Sequence, residues 1–235
     1  MKIWVQSNTA LVADAKWKPY LEAETENLEA TKLPGTELHF DGVDVMQPDL
    51  THNAMHRAVN TQGFIQKGLR AQAEGYDAFM VLGMALMGRD ELREQLTIPV
   101  VFAQDVAWTF ATWLYGRFGL LAHDRVMYLR RLDQIRLAGL RDCFVPGDYG
   151  VLRKEDTLAA YADFDGYHAT LEETGRRAVH DGANVLIPDI GPMNALLASK
   201  GITRMHGVPI FNTSAMTLRA AQLMVSGGLR NVNPW

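Results

Sequence analysis

The chain has 235 residues, 48% hydrophobic and 21% charged, enough to bury a sizeable core in one large domain or two small ones without disulfides. Twenty-three Lys and Arg against twenty-seven Asp and Glu give a formal charge of −4. With no basic cluster, this excludes a nucleic-acid groove and a basic membrane-binding patch.

The first strand is expected at residues 3–6. Its apolar run is too short for a secretory signal, and no run reaches the roughly 18 residues of a membrane helix. The single cysteine, Cys143, can form neither an internal bridge nor a cysteine metal cluster, so the expected compartment is the cytoplasm. A second strand is expected at 37–40. A helix over 54–74, carrying Met55, Ala58, Val59, Phe64 and Leu69, leads into a strand at 78–82. A strand at 99–103 precedes a helix over 105–115 with Val106, Trp108, Phe110 and Leu114. Strands at 125–129, 185–188 and 209–211 follow, with helices over 168–181 and 214–226. The strands are nearly continuous in apolar residues, as strands buried on both faces are. Alternation with helices predicts an α/β fold of parallel sheets flanked by helices. Between 142 and 166, Pro146-Gly147-Asp148-Tyr149-Gly150 and Asp163-Phe164-Asp165-Gly166 mark turns, in either a plain connection or a lid.

An internal repeat predicts two pseudo-symmetric halves. Glu74-Gly75-Tyr76-Asp77-Ala78 and the strand after it parallel Asp181-Gly182-Ala183-Asn184-Val185 and its strand; Ile98-Pro99-Val100-Val101 parallels Val208-Pro209-Ile210-Phe211. Glycine in each copy fits a helix C-cap. The halves are expected as 1–103 plus 209–235, and 104–208.

Ligands of such folds bind beyond the carboxyl ends of the strands. Four segments lie there. Gln6-Ser7-Asn8-Thr9-Ala10 and Phe211-Asn212-Thr213-Ser214-Ala215 place small polar side chains after a strand, at an expected helix N-terminus. That arrangement suits either a carboxylate or amide site, or ordinary capping. Leu82-Gly83-Met84-Ala85-Leu86-Met87-Gly88 is apolar, fitting an adaptable pocket or packing between halves. In Ile187-Pro188-Asp189-Ile190-Gly191-Pro192-Met193, Asp189 follows an apolar strand. It is either an acid or base raised by apolar burial, or the cap of a helix starting near Met193. Asp105 carries the same two roles, capping of a helix over 106–115 foremost, and His123-Asp124 reads as a turn. His52 and His56 are four apart but lack the glutamate of a zinc protease motif, and no nucleotide loop is present. No metal or cofactor is expected.

Met1-Lys2-Ile3-Trp4-Val5-Gln6-Ser7-Asn8-Thr9 resembles the opening of the hydantoin racemase branch of the aspartate/glutamate racemase superfamily, where the first strand ends in an Asn-Pro-Asn-Thr type of motif. Asp90-Glu91-Leu92-Arg93-Glu94 before Ile98-Pro99-Val100-Val101 is similar to the segment after the family's first catalytic cysteine. Asp181-Gly182-Ala183, the following strand and Gly191-Pro192-Met193 are similar to the surroundings of its second. The resemblance implies two pseudo-symmetric α/β halves with an active-site cleft between them and a two-cysteine acid/base pair. Here the first cysteine position falls on Gly83, or Met84 with a one-residue slip, and the second on Ile190; Cys143 matches neither. Arylmalonate decarboxylase, a similar relative, has a hydrophobic side opposite a single cysteine.

These departures predict a non-cysteine enzyme of the superfamily: an isomerase, lyase or ring-opening hydrolase acting on a small carboxylate or cyclic amide or imide. Asp189 is the expected acid/base, with Asp105, His123 and His52 as alternatives. Asn8, Thr9, Asn212 and Thr213 are expected to hold the polar group, and Gly83, Met84, Ala85, Ile190 and Gly191 to line the site. The alternative is a non-catalytic protein that binds the same small ligands. A homo-oligomer is expected, with no nucleic-acid or membrane partner.

Overall fold

The apolar run after Met1 forms β1 (Lys2–Gln6), in which Ile3, Trp4, Val5 and Gln6 are all fully buried. In this computed structural model, which describes residues 1–48, 52–122, 124–146 and 154–231, β1 lies inside a parallel sheet. The order is β2-β1-β3-β4, with β2 (Glu37–Asp41), β3 (Ala78–Val81) and β4 (Val100–Phe102). A 3-10 turn (Ala15–Trp17) and α1 (Lys18–Thr31) join β1 to β2; α2 (Ala54–Ala73) and α3 (Arg89–Gln95) make the next two crossovers. Trp4, Phe79, Val81, Val100 and Phe102 pack with Phe64 of α2 and with Leu92 and Leu96 at α3. The alternate residues Ile3, Val5, Ala78, Met80 and Val101 are equally buried, so the sheet is covered on both faces.

The chain divides into two units, Met1–Val106 with Ser214–Trp235, and Ala107–Thr213. α4 (Ala103–Tyr115) leads out of β4, and α9 (Thr213–Ser226) leads back. In the second unit β5 (Phe118–Leu121) pairs in parallel with β6 (Val185–Pro188). Parallel bridges from Phe118 to Phe144 and from Leu186 to Ile210 extend the pair on either side. α5 (Arg125–Leu137) and α6 (Lys154–Ala159) follow β5 in the chain, α7 (Asp165–His180) and α8 (Gly191–Ser199) pack on the pair with α6 against α8, and β7 (Arg204–Met205) with β8 (Val208–Pro209) forms an antiparallel hairpin.

The internal repeat is visible in the backbone. α2 ends at Gly75 and α7 at Gly182, with φ of 79° and 100°, the left-handed conformation that favours glycine at a helix stop. Asp77 N then donates to Lys2 O at 2.8 Å, and Asn184 N to Arg117 O at 3.0 Å. At the far strand ends Leu82 N donates to Gln6 O and Asp189 N to Leu121 O. Gly83 and Ile190, each the next residue, are therefore equivalent positions.

Two expected strands are corrected, and a third expectation falls partly outside the described residues. Residues 125–129 are not a strand but the first turns of α5. Asp124 caps this helix by accepting from Met127 N, and Tyr128, Arg131 and Ile135 form its buried stripe; the short run Val126-Met127-Tyr128-Leu129 hides that period. The strand of this region is β5, whose Gly119 leaves room for Ala178 and Ala183. Residues 209–211 are divided: Val208 and Pro209 belong to the hairpin, and only Ile210 bridges to Leu186. Of the irregular 142–166 stretch, Gly147, Asp148, Tyr149 and Gly150 lie outside the described residues, as does His123; Asp165 already begins α7.

One buried carboxyl couples this fold to pH. Glu24 of α1 is 0% exposed, and burial pushes its carboxyl up to about 8, only partly offset by the nearby Ser214 side chain in the first turn of α9. The folded chain keeps this proton while the unfolded chain releases it near 4.5. Stability therefore falls as pH rises from about 4.5 to about 8 and levels off above. Glu24→Gln is expected to remove that slope and to gain on the order of a few kcal/mol at the upper end. Urea midpoints of both proteins at low and high pH check this, and parallel profiles would contradict it.

Candidate functional site

The strand ends of the first unit gather the polar residues that the sequence singles out. Ser7 and Thr9 are buried and share a 2.8 Å hydrogen bond between hydroxyls; Thr9 N also donates to Ser7 Oγ. These residues do not start a helix, contrary to expectation. The next helical residue is Ala15, so Ser7, Asn8 and Thr9 form a loop of their own.

Tertiary bonds hold that loop. Ser7 N donates to Asp41 O, Val43 N donates to Thr9 O, and Asn60 Nδ2 of α2 donates to Asn8 O at 3.3 Å. Asp41 in turn accepts from Gly42 N and pairs with Lys67 at 3.0 Å. Gly42 passes so close that an added Cβ would overlap Thr9 O and crowd Leu11 N. Gly42→Ala therefore has to displace the loop, with an expected loss of about 1–3 kcal/mol read from thermal midpoints. An unchanged midpoint would show that the loop yields freely.

After β3 the chain turns at Gly83, whose φ is 77°. Leu82 and Met84 are buried, Ala85 and Met87 are partly exposed, and Leu86 packs on the Trp4 core. Beyond β4, the Gln104 side chain is 0% exposed and neither its Oε1 nor its Nε2 has a hydrogen-bond partner. Asp105 is not a cap. α4 already begins at Ala103, and the Asp105 carboxylate pairs with Arg89 at 3.2 Å and Arg93 at 2.8 Å.

In the second unit Asp189 follows β6 and is fully buried. Its surroundings are not simply apolar: Arg131 of α5, 4% exposed at its side chain, donates through Nε to Asp189 Oδ1 at 2.5 Å. Arg131 Nη1 also donates to Gln134 Oε1 at 3.0 Å. Asp189 Oδ2 is buried with no hydrogen-bond partner. The capping alternative for Asp189 is not realised, because Ile190 is the N-cap of α8 and no side chain caps that end. Ile190 is half-buried and Gly191 buried. Asn194 of α8, 2% exposed, ties the neighbouring strand end to this one: its Oδ1 accepts from Thr213 N at 2.8 Å, and its Nδ2 donates to Asn212 Oδ1 at 3.2 Å. Thr213 does begin a helix, α9.

Asp189, Ile190 and Gly191 thus stand beside Asn212 and Thr213, joined through Asn194. Asn8 and Thr9 share the first sheet's strand-end edge with Gly83, Met84 and Ala85. Among the described residues no group of three or more His, Cys, Asp or Glu could hold a metal ion, and no helix is long and apolar enough to cross a membrane. Cys143 is partly buried and joins the second sheet through its backbone, accepting from Phe118 N. Sequence reasoning missed Arg131, Asn194, Asn60 and Gln104. For Arg131 and Asn60 a signal existed: each is a polar residue within the buried stripe of its helix, at i+3 from Tyr128 and i−4 from Phe64.

No protein-family model matches the chain, and no curated protein matches it. Solved structures do. Allantoin racemase from Klebsiella pneumoniae has a TM-score of 0.82 at 19% identity, over 99% of this chain and 90% of that one. Allantoin racemase from Pseudomonas fluorescens gives 0.77 at 21%, over 99% and 94%. A doubly substituted arylmalonate decarboxylase in a liganded form gives 0.66 at 17%, over 99% and 96%. The chain shares the fold of these allantoin racemases and of arylmalonate decarboxylase.

Proposed function

We propose that the chain is an enzyme of the aspartate/glutamate/hydantoin racemase superfamily, acting on a small carboxylate or a cyclic amide or imide as an isomerase, lyase or ring-opening hydrolase without a cysteine pair. The observation that carries this reading is Asp189, buried at the carboxyl end of β6 with Oδ1 held by Arg131 and Oδ2 unpartnered. One oxygen is fixed and the other is left to exchange a proton with a bound molecule. Arg131 is the positioning residue of this arrangement. Asn212 and Thr213 are assigned to the substrate's polar group, with Ile190 and Gly191 lining the same strand end. Backbone donors at the start of α8 would stabilise negative charge developing in the transition state. In the first unit, Asn8 and Thr9 are assigned to polar binding, and Gly83, Met84 and Ala85 to the apolar substituent. No thiol stands at Gly83 or Ile190, so the two-cysteine exchange is replaced by a single carboxylate. The neighbours' identities as racemases and a decarboxylase support carbon-acid chemistry by likeness of fold.

A thermal-shift screen against small carboxylates, hydantoins, cyclic imides and aryl-substituted acids tests the substrate class, each hit being incubated and analysed for product. Stabilisation by one of these classes, followed by conversion, is the expected result. No stabilisation by any of them would overturn the reading.

A further inference from the structure

We propose that Asn60, with His56 one helical turn away, contacts the bound molecule and reads an N–H donor on it. This rests on the function proposed above and assigns two residues of α2 that the strand-end loops alone do not include.

The argument starts at the start of α2. Asn53 caps this helix, its side chain accepting from Met55 N and His56 N, and so fixes where the first turns point. His56, Asn60 and Phe64 then fall on one stripe at i, i+4 and i+8. Phe64 is fully buried in the core, Asn60 is 3% exposed and His56 is partly exposed. The stripe thus rises out of the core toward the carboxyl ends of the strands, since a crossover helix runs back from that edge. There Asn60 Nδ2 donates to Asn8 O, which also settles which way the amide faces: turning it over would set Oδ1 against a carbonyl oxygen.

Asn60 Oδ1 is therefore an acceptor by construction. It is buried and has no hydrogen-bond partner, and His56 Nδ1 on the adjacent turn is likewise buried without one. A buried polar atom left unsatisfied is costly and uncommon in folded proteins. Asn60 Oδ1, beside the loop assigned to polar binding, is met by an N–H donor of a ligand, and His56 Nδ1 is met by a second when its ring carries the proton on Nε2. A carboxylate without an N–H cannot satisfy Asn60 Oδ1.

The test measures dissociation constants of the full chain for two probes, 5-benzylhydantoin, which carries ring N–H groups, and 2-phenylpropionate, which carries none. Asn60→Leu is expected to weaken binding of the hydantoin by roughly tenfold or more, the cost of leaving a donor unpaired, while changing binding of the carboxylate little. Equal weakening of both probes would make Asn60 a tether of the Asn8 loop only, and no weakening of either would remove it altogether; both results overturn the inference. His56→Phe carries the same comparison if Asn60→Leu does not fold. Wild-type protein that binds only 2-phenylpropionate overturns the inference and leaves the proposed function standing. Binding of neither probe, nor of any compound in the thermal-shift screen, brings down the proposed function and the inference with it.

Discussion

Asp189→Asn is expected to lower turnover by roughly 10²–10⁴-fold, the usual contribution of a positioned acid or base. The substitution is nearly isosteric, and the amide oxygen can still accept the hydrogen bond that Arg131 Nε makes to Asp189 Oδ1 at 2.5 Å, although the ion pair is lost. What disappears is the carboxylate oxygen Oδ2, the atom assigned to proton exchange in the proposed function, which has no hydrogen-bond partner within the protein. The effect should fall on kcat more than on KM, because the carboxylate acts on the reacting atoms. Initial rates, normalised to the folded fraction by circular dichroism, provide the check. A loss below tenfold would assign the proton transfer to another group.

Arg131→Leu is expected to destabilise the protein by about 3–5 kcal/mol, since it strands a fully buried carboxylate without its cation. The double substitution Arg131→Leu with Asp189→Leu should recover much of that loss, because two apolar side chains of suitable volume often replace a buried ion pair at little net cost. The contrast matters for function. A pair kept for stability alone would be dispensable in this way, whereas a pair kept for chemistry would leave the double variant folded and inactive. Urea unfolding of the two variants and the wild type measures the first part, and rates measure the second. A single-variant loss under about 1 kcal/mol would mean that the buried carboxylate finds another partner on relaxation.

What was legible in the sequence follows from how each element is buried. β3 and β6 are covered on both faces, so they show as unbroken apolar runs, and the glycines before them mark helix ends through their left-handed backbone. Their repetition carries the two-fold plan of the chain. α5 defeated the same reasoning because its first residues include four apolar ones in a row, a length at which strand and helix periods cannot be told apart. β5 was hidden by the opposite effect, a glycine inside a four-residue strand.

The candidate site was legible where topology alone locates it. Strand ends bear ligands in parallel α/β folds, so Asn8, Gly83, Asp189 and Asn212 could be singled out without knowing any contact. The partners could not. Arg131 and Asp189 are 58 residues apart, and Asn60 and Asn8 are 52 apart; no local pattern records such pairings. The buried ion pair is also what distinguishes the observed Asp189 from the solitary carboxyl in apolar surroundings that its neighbours in sequence suggest.

In the proposed function Asp189 moves the proton of the reaction and no cysteine pair takes part. The most direct measurement is proton NMR of wild-type protein in deuterated water with a chiral hit from the ligand screen, run beside Asp189→Asn. Loss of the C–H signal at the acidic carbon, or a new product, is expected in the wild type, with a rate lower by roughly 10²-fold or more in the variant. Tight binding with neither exchange nor product in the wild type would contradict the proposed function and identify the chain as a small-ligand-binding protein built on the racemase fold.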